Sequence, residues 1–242
     1  MKITEAMVLA AGLGTRMRPL TDTTPKPLIQ VAGKPLIDYA LDLLAEAGVE
    51  RAVVNVHHHA DAMMAHLSTY SRLQVLVSDE RQGLLNSGGG LVKGLQQLAD
   101  APVFVMNADL FWIGETSSSS NLHRLAEFFD PGSMDMALLC VPPERTTGHN
   151  EKRDFSMAPT GKLTRYVDGD EHPVVYAGAL VLDPALFSDA PSEAFNLNLY
   201  FDKAISAGRL YGIELSGHWI TVGTPEAIVA AEHTMREHEE DR

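Results

Sequence analysis

The chain has 242 residues, 45% of them hydrophobic and 21% charged, a composition that excludes a disordered, fibrous or disulfide-stapled protein. Its net charge of −13 argues against nucleic acid or an anionic membrane as the main partner, since both select basic surfaces. No apolar run approaches the ~20 residues that span a bilayer, and the opening residues do not make a signal peptide, so a cytoplasmic protein is expected.

Taken in chain order, 5–11 reads as an apolar strand running straight into Gly12-Leu13-Gly14. Leu36, Ile37, Ala40, Leu41, Leu44 and Ala47 fall on one helix face, and Gly48 supplies the stop. Strand 51–56, helix 60–69, strand 73–78, helix 88–98 and strand 102–107 follow. This alternation predicts βαβ units and a mixed, mainly parallel central sheet in a Rossmann-like α/β sandwich of three layers. Beyond the polar run Ser117–Ser120, a helix at 121–129 precedes a strand at 134–142. Residues 142–162 read as one long loop, a segment type that is often functional. Strands are then expected at 163–167, 174–182 and 210–215, with a helix at 196–207. Thr224-Pro225-Glu226 is a helix start with a capping hydroxyl, proline at the first helical position and an acid near the positive dipole end. The last six residues read as a frayed end. Cys140 is expected to be a small buried strand residue, since a lone cysteine forms no internal disulfide. No internal repeat or linker divides the chain, so one domain is expected over 1–242.

The charge is unevenly spread. Residues 1–34 carry Lys2, Arg16, Arg18, Lys26 and Lys34 against Glu5 and Asp22, a net of +3, leaving −16 on the remainder. This basic, glycine-bearing opening follows the first strand, where α/β folds bind phosphates. Glycines let backbone N–H groups approach an anion, and nearby cations suit a polyphosphate whose charge rises during reaction. The segment lacks the Lys-Ser/Thr of a P-loop, and Met17 stands where the dinucleotide fingerprint needs glycine, which disfavours a nicotinamide-dependent oxidoreductase. His57-His58-His59 does not read as a metal site, because successive side chains on an extended strand diverge. The methionines are expected to fill gaps in packing.

Leu-Ala-Ala-Gly-Leu-Gly-Thr-Arg-Met-Arg-Pro-Leu-Thr (9–21), Thr-Pro-Lys-Pro-Leu (24–28) and Gly-Lys-Pro-Leu-Ile (33–37) closely resemble the signature of sugar-1-phosphate nucleotidyltransferases. The resemblance continues through Ser87-Gly88-Gly89-Gly90, Asn107-Ala108-Asp109, Tyr176-Ala177-Gly178 and Val222-Gly223-Thr224-Pro225-Glu226. Within that family, the length and the Ser-Gly-Gly-Gly run are most similar to the N-acetylmuramate-1-phosphate uridylyltransferase group. Mannose- and heptose-1-phosphate guanylyltransferases are close relatives. The resemblance implies a nucleotide-binding core over 1–110, a sugar-binding portion over 111–242 and no C-terminal β-helix. It also implies the reaction NTP + sugar 1-phosphate → NDP-sugar + pyrophosphate, feeding cell-wall recycling in the muramate group, by a monomer or small homo-oligomer. The chain would have no nucleic-acid or membrane partner.

By the same resemblance, Leu9, Ala10, Ala11, Gly12, Gly14 and Thr15 cradle the nucleotide, with Glu80 and Gly88 at the base. Arg16 holds the triphosphate, and Lys26 bridges the α-phosphate and the attacking sugar phosphate. Arg18 fits either a phosphate contact or a surface ion pair. Asp109, at the end of an apolar strand, is the implied Mg²⁺ ligand. The family usually has aspartate where this chain has Thr221, so a neutral hydroxyl stands at the second metal position. A carboxylate at Glu80 suits the N–H edge of uracil or of guanine. Asn107, Gly148, Gly178 and Asn198 fall at sugar-binding positions, although Asn196 and Asn198 also suit a helix start. The missing second carboxylate leaves a non-catalytic nucleotide or sugar-phosphate sensor as the alternative class.

Overall fold

A computed structural model describes residues 1–115, 119–191 and 193–240. β1 (Glu5–Leu9) leads through short 3-10 turns and the ladder of β2 (Gln30–Val31) with β3 (Lys34–Pro35) into α1 (Leu36–Glu46). β4 (Arg51–Val56), α2 (Ala60–Leu67), β5 (Gln74–Asp79), α3 (Asn86–Leu95) and β6 (Val103–Asn107) complete the first half. The second half comprises β7 (Leu110–Ile113), α4 (Asn121–Phe128), β8 (Met136–Val141), β9 (Thr146–Thr147), β10 (Phe155–Met157) and β11 (Leu163–Arg165). After these come β12 (Pro173–Leu182), α5 (Asn198–Ser206), β13 (Leu210–Glu214), β14 (His218–Thr221) and α6 (Pro225–Glu240).

The main sheet is mixed. β6, β1, β4 and β5 lie side by side and parallel, as the βαβ pattern requires. Beyond β6 the sheet continues antiparallel through β12 to β8 and β10, with β13 parallel to β8. Both faces are apolar because alternate strand residues point to opposite sides. Val8, Val54, Phe104 and Met106 meet Ile37 and Leu41 of α1, Met63 of α2 and Leu125 of α4. Met7, Val53 and Val105 meet Leu91 of α3 and Tyr200 and Ala204 of α5 on the other face. The result is an α/β/α sandwich.

A separate short sheet, β7-β14-β9, has no counterpart in the sequence reading. It packs with α6 into a third cluster that includes Met17, Phe111, Ile220 and Val222. The expected loop over 142–162 is therefore corrected, since β9 and β10 lie inside it and gain their partners from β14 and β12. The frayed end expected at 237–242 is also corrected as far as Glu240, because α6 runs to that residue. His238 packs there against Gly114. Of the polar run Ser117–Ser120, residues 117 and 118 lie outside the described residues; Ser120 caps α4, its hydroxyl accepting from the His123 N–H. Cys140 is fully buried in β8, and burial pushes its thiol pKa up. Among the described residues, no helix is long and apolar enough to cross a membrane.

Candidate active site

The chain passes from β1 outward to β4 and β5, then returns to β6 on the other side of β1. That reversal between β1 and β6 is the switch point at which open α/β sheets hold ligands, at the carboxyl ends of the strands. β1 ends two residues earlier than the sequence suggests. Ala10 leaves the ladder because its N–H donates to Asn55 Oδ1 at 2.6 Å, while Ala108 N–H donates to the Leu9 carbonyl at 3.1 Å. Gly14 then turns the chain with φ of +62°, and a Cβ there would lie 2.9 Å from Thr21 Cγ2 and 3.0 Å from Lys26 Cβ. The glycine thus lets the turn close on the Lys26 segment.

A cleft of about 300 Å³ opens at this point. Leu9, Ala10, Ala11, Gly12, Lys26, Asn107 and Asp109 line it, so the structure brings together most of the residues expected to meet the phosphates. Lys26 Nζ lies 2.5 Å from Asp109 Oδ2, with the lysine side chain 12% exposed and the aspartate 33%. A largely desolvated lysine beside a half-open carboxylate puts two opposite charges where phosphates and a cation would meet.

Arg16 stands at the margin. It is exposed, and its guanidinium lies 3.6–3.7 Å from the position a Cβ would take on Gly223. The Val222 N–H donates to the Asp109 backbone carbonyl at 3.0 Å and Thr221 pairs with Leu110, so the strand carrying Thr221 is tied to the backbone beside Asp109. Thr221 is accordingly placed near Asp109 through the backbone. Gly148 packs against the Thr221 carbonyl, where it admits β14 and does not line the cleft. Thr15 is exposed and likewise outside the cleft lining. Arg18 pairs with Asp22 at 3.3 Å on the surface.

Two expected base contacts are placed elsewhere. Glu80 is 1% exposed and outside the cleft lining. Its Oε1 accepts from Asn55 Nδ2 at 2.7 Å and its Oε2 from the Leu85 N–H at 3.1 Å. Both oxygens are engaged within the protein, so Glu80 orients Asn55, whose other amide atom holds Ala10. Gly88 is buried, its N–H donates to the Phe195 carbonyl at 2.9 Å, and the Phe195 ring fills the space of a side chain. Asn55 and Asn86 line the cleft but escaped the sequence reading. The one available signal was an asparagine among the valines at the end of β4.

A second cavity of about 220 Å³ shares Leu9, Ser87, Asn107 and Asn196 with the first. Asn198 lines it, as does Arg165. It lies by the part of β12 where pairing passes from β10 at Pro173–Val174 to β6 at Ala179–Leu182. Gly178 sits at that register shift with φ of +70°, and a Cβ there would meet Leu110 Cδ2 at 2.0 Å and Asn107 Nδ2 at 3.1 Å. Its contribution is therefore to seat Asn107. Asn196 does two jobs, since its Oδ1 accepts from the Asn198 N–H at the start of α5 while the residue lines both cavities.

A larger cavity, about 870 Å³, shares no lining residue with either. Its glycine turn, Ala158–Gly161, and its Arg145–Glu214 pair lie away from the β1/β6 switch point, so size alone does not make it the reaction site. The three histidines at 57–59 do not form one cluster, although the His58 and His59 rings lie 3.9 Å apart rather than diverging. His57 Nδ1 bonds the Glu80 carbonyl at 2.8 Å, His58 Nε2 bonds that of Thr21 at 3.1 Å, and His59 turns the chain into α2. Among the described residues there is no group of three or more His, Cys, Asp or Glu able to hold a metal.

A glycine turn and a lysine–carboxylate pair at the switch point of a parallel sheet define a phosphate-handling α/β enzyme. Residues 6–188 match the family described as the MobA-like NTP transferase domain, and the chain belongs to that family as a nucleotidyltransferase. It is 40% identical to an N-acetylmuramate alpha-1-phosphate uridylyltransferase of Caulobacter vibrioides, over 96% of this chain and 97% of that protein. It is 34% identical to the protein of the same name from Neisseria meningitidis serogroup B, over 91% and 93% of the two chains. The fold is also that of apo UDP-glucose pyrophosphorylase, with a TM-score of 0.77 at 16% identity over 98% of this chain and 99% of that one.

Proposed function

We propose that this enzyme transfers the uridylyl group of UTP to N-acetylmuramate alpha-1-phosphate, with Mg²⁺, in cell-wall precursor recycling. The observation that carries the reaction class is the Lys26–Asp109 pair set beneath the Ala10–Gly12 turn in the switch-point cleft. The identity with muramate uridylyltransferases over nearly the full length supports the choice of substrates.

The chemistry asks for charge neutralisation and alignment more than for covalent assistance. A phosphate oxygen of the sugar 1-phosphate attacks the α-phosphorus, the bond to the β-phosphate bridge oxygen breaks, and pyrophosphate leaves with that electron pair. No proton need move, because the attacking oxygen is already ionised. Lys26 approaches from the turn side of the cleft, as a compact charge between the two polyanions. The Ala11 and Gly12 backbone faces the phosphates, and Asn55 and Glu80 keep that turn from rotating. Arg16, at the open end, meets the departing pyrophosphate.

The donor set suits Mg²⁺ carried in with the substrates. Mg²⁺ sites in phosphoryl-transfer enzymes commonly use one or two carboxylates plus substrate phosphates and water, and Asp109 supplies one partly exposed carboxylate. When bound there, Mg²⁺ offsets charge on the phosphates. The Thr221 hydroxyl cannot replace a second carboxylate, so in this proposal Asp109 is the protein's main hold on the ion.

The test of the substrate reading is a matrix of UTP, GTP, CTP and dTTP against muramate, glucosamine, glucose, mannose and heptose phosphates, read as pyrophosphate release. UTP with N-acetylmuramate 1-phosphate should give the highest kcat/KM. A guanylyl preference with mannose or heptose phosphate would replace this assignment with the other branch of the family. Tight ligand binding without turnover would make the protein a sensor.

A further inference from the structure

The second cavity carries a feature that the phosphate chemistry does not use. We infer that Arg165 is the specificity residue that reads an acidic substituent on the sugar ring, which for the substrate proposed above is the ether-linked lactate of N-acetylmuramate. The inference rests on that substrate reading and adds to it the residue responsible.

Arg165 lines the second cavity and not the first, while Lys26 and Asp109 line the first and not the second. Asn107 and Asn196 belong to both. A sugar phosphate held at Lys26 therefore extends past Asn107 toward Arg165, placing the arginine at the end of the sugar remote from the phosphate. Two of the cavity's lining residues are cationic, and both are paired with carboxylates, Lys152 with Asp154 and Arg165 with Asp202. Lys152 is 3.3 Å from Asp154 and largely exposed, and Asp154 is itself anchored by the Tyr176 N–H at 3.1 Å.

Arg165 is held in place by its neighbours. Its Nε–H donates to Asp202 Oδ1 at 2.8 Å, and its Nη2 donates to Asn198 Oδ1 at 2.8 Å. Asn198 is fixed in turn, because its Nδ2 donates to Asn196 Oδ1 at 2.9 Å. The guanidinium lies over the Phe155 ring, 4.9 Å from its centroid. Among the described residues, no protein acceptor meets Nη1. A guanidinium with five donors, braced on one edge and stacked on one face, thus keeps a terminal nitrogen free for a ligand acceptor.

That chemistry selects for an anionic oxygen. A neutral hydroxyl is met equally well by the asparagines and Asp154, whereas a carboxylate near Asp154 requires a compensating cation. Arginine pairs with carboxylates by charge-assisted hydrogen bonds that a neutral donor does not match. Asn198, proposed from the sequence as a sugar contact, becomes on this geometry the residue that aims Arg165.

The experiment compares N-acetylmuramate 1-phosphate with N-acetylglucosamine 1-phosphate, the same sugar without the acidic ether, in wild type, Arg165→Gln and Arg165→Lys. Wild type should prefer the muramate phosphate. Arg165→Gln should lower kcat/KM for it by about 10- to 100-fold, the effect of losing a hydrogen bond to a charged group. Turnover of the glucosamine phosphate should fall by much less than that of the muramate phosphate, and a denaturant midpoint close to that of wild type shows that the variant folds. Arg165→Lys, keeping the charge without the fork, should fall between the two. Equal losses on both sugars would overturn the inference and make Arg165 a structural or phosphate residue. A wild type that treats the two sugars alike would overturn it as well. Should wild type turn over neither of them but accept another sugar phosphate, the substrate reading itself fails, a result distinguishable from the other two.

Discussion

Lys26→Met lowers turnover by about 10²- to 10³-fold, the size of effect seen when one preorganised charge donor is taken from a transition state. Methionine keeps most of the lysine stem, so the packing around Pro27 and the Gly14 turn is preserved. What is lost is a positive charge, 12% exposed and 2.5 Å from Asp109, at the place where two polyanions must meet. Because repulsion between them peaks as the new bond forms, the loss should fall mainly on kcat, with KM for the nucleotide changing much less. Steady-state pyrophosphate release, with a denaturant midpoint alongside, makes the check. A variant that folds and turns over within threefold of wild type removes Lys26 from the reaction.

Asp109→Asn has the second large effect and a different signature. The amide retains an oxygen acceptor but no charge, so turnover should fall by about 10²-fold or more and the Mg²⁺ concentration for half-maximal rate should rise. Thr221 offers no second carboxylate to take over that hold. The same substitution leaves Lys26 without its counter-ion. Breaking a fully buried pair costs about 3–5 kcal/mol, but Asp109 is one-third open to solvent, so a loss of about 1–2 kcal/mol is expected. A Mg²⁺ titration with a urea melt separates the two effects. An unchanged Mg²⁺ requirement would assign the ion to other groups.

The residues that proved legible in the sequence are those whose information is local. α1 matches its stripe of Leu36, Ile37, Ala40, Leu41 and Leu44 because one helix face meets the sheet, and α6 begins at Pro225 as its cap chemistry requires. The glycine turn and the strand ending before Asp109 were readable for the same reason. Elements held by distant partners were not. β9 is two residues long and exists because Trp219 and Ile220 pair with Thr146 and Thr147. β7 and β14 are four residues each and pair across more than a hundred positions, too short for a period to show. Glu80 illustrates the same limit within the site. The family resemblance places it at a base contact, but whether its carboxylate faces ligand or protein depends on Asn55, 25 residues earlier and on a neighbouring strand. Gly88 likewise reads as a ligand approach until the Phe195 ring is found against it.

The small sheet β7-β14-β9 gives the second half of the chain a direct part in the site. It ties Val222 to the Asp109 carbonyl and brings Gly223 beside Arg16, so the second half of the chain meets the basic opening at the cleft margin. The +3 opening segment is thereby set within a chain whose net charge is −13. A small polyanion accompanied by a divalent cation fits that arrangement.

Nucleotidyl transfer at the β1/β6 switch point is measured by following UTP and N-acetylmuramate 1-phosphate with the purified wild-type enzyme. One pyrophosphate should be released for each UDP-sugar formed, with the reaction abolished by EDTA and restored by Mg²⁺. Absence of pyrophosphate with Mg²⁺ present, for this pair and for every other nucleotide and sugar phosphate in the matrix, would contradict it.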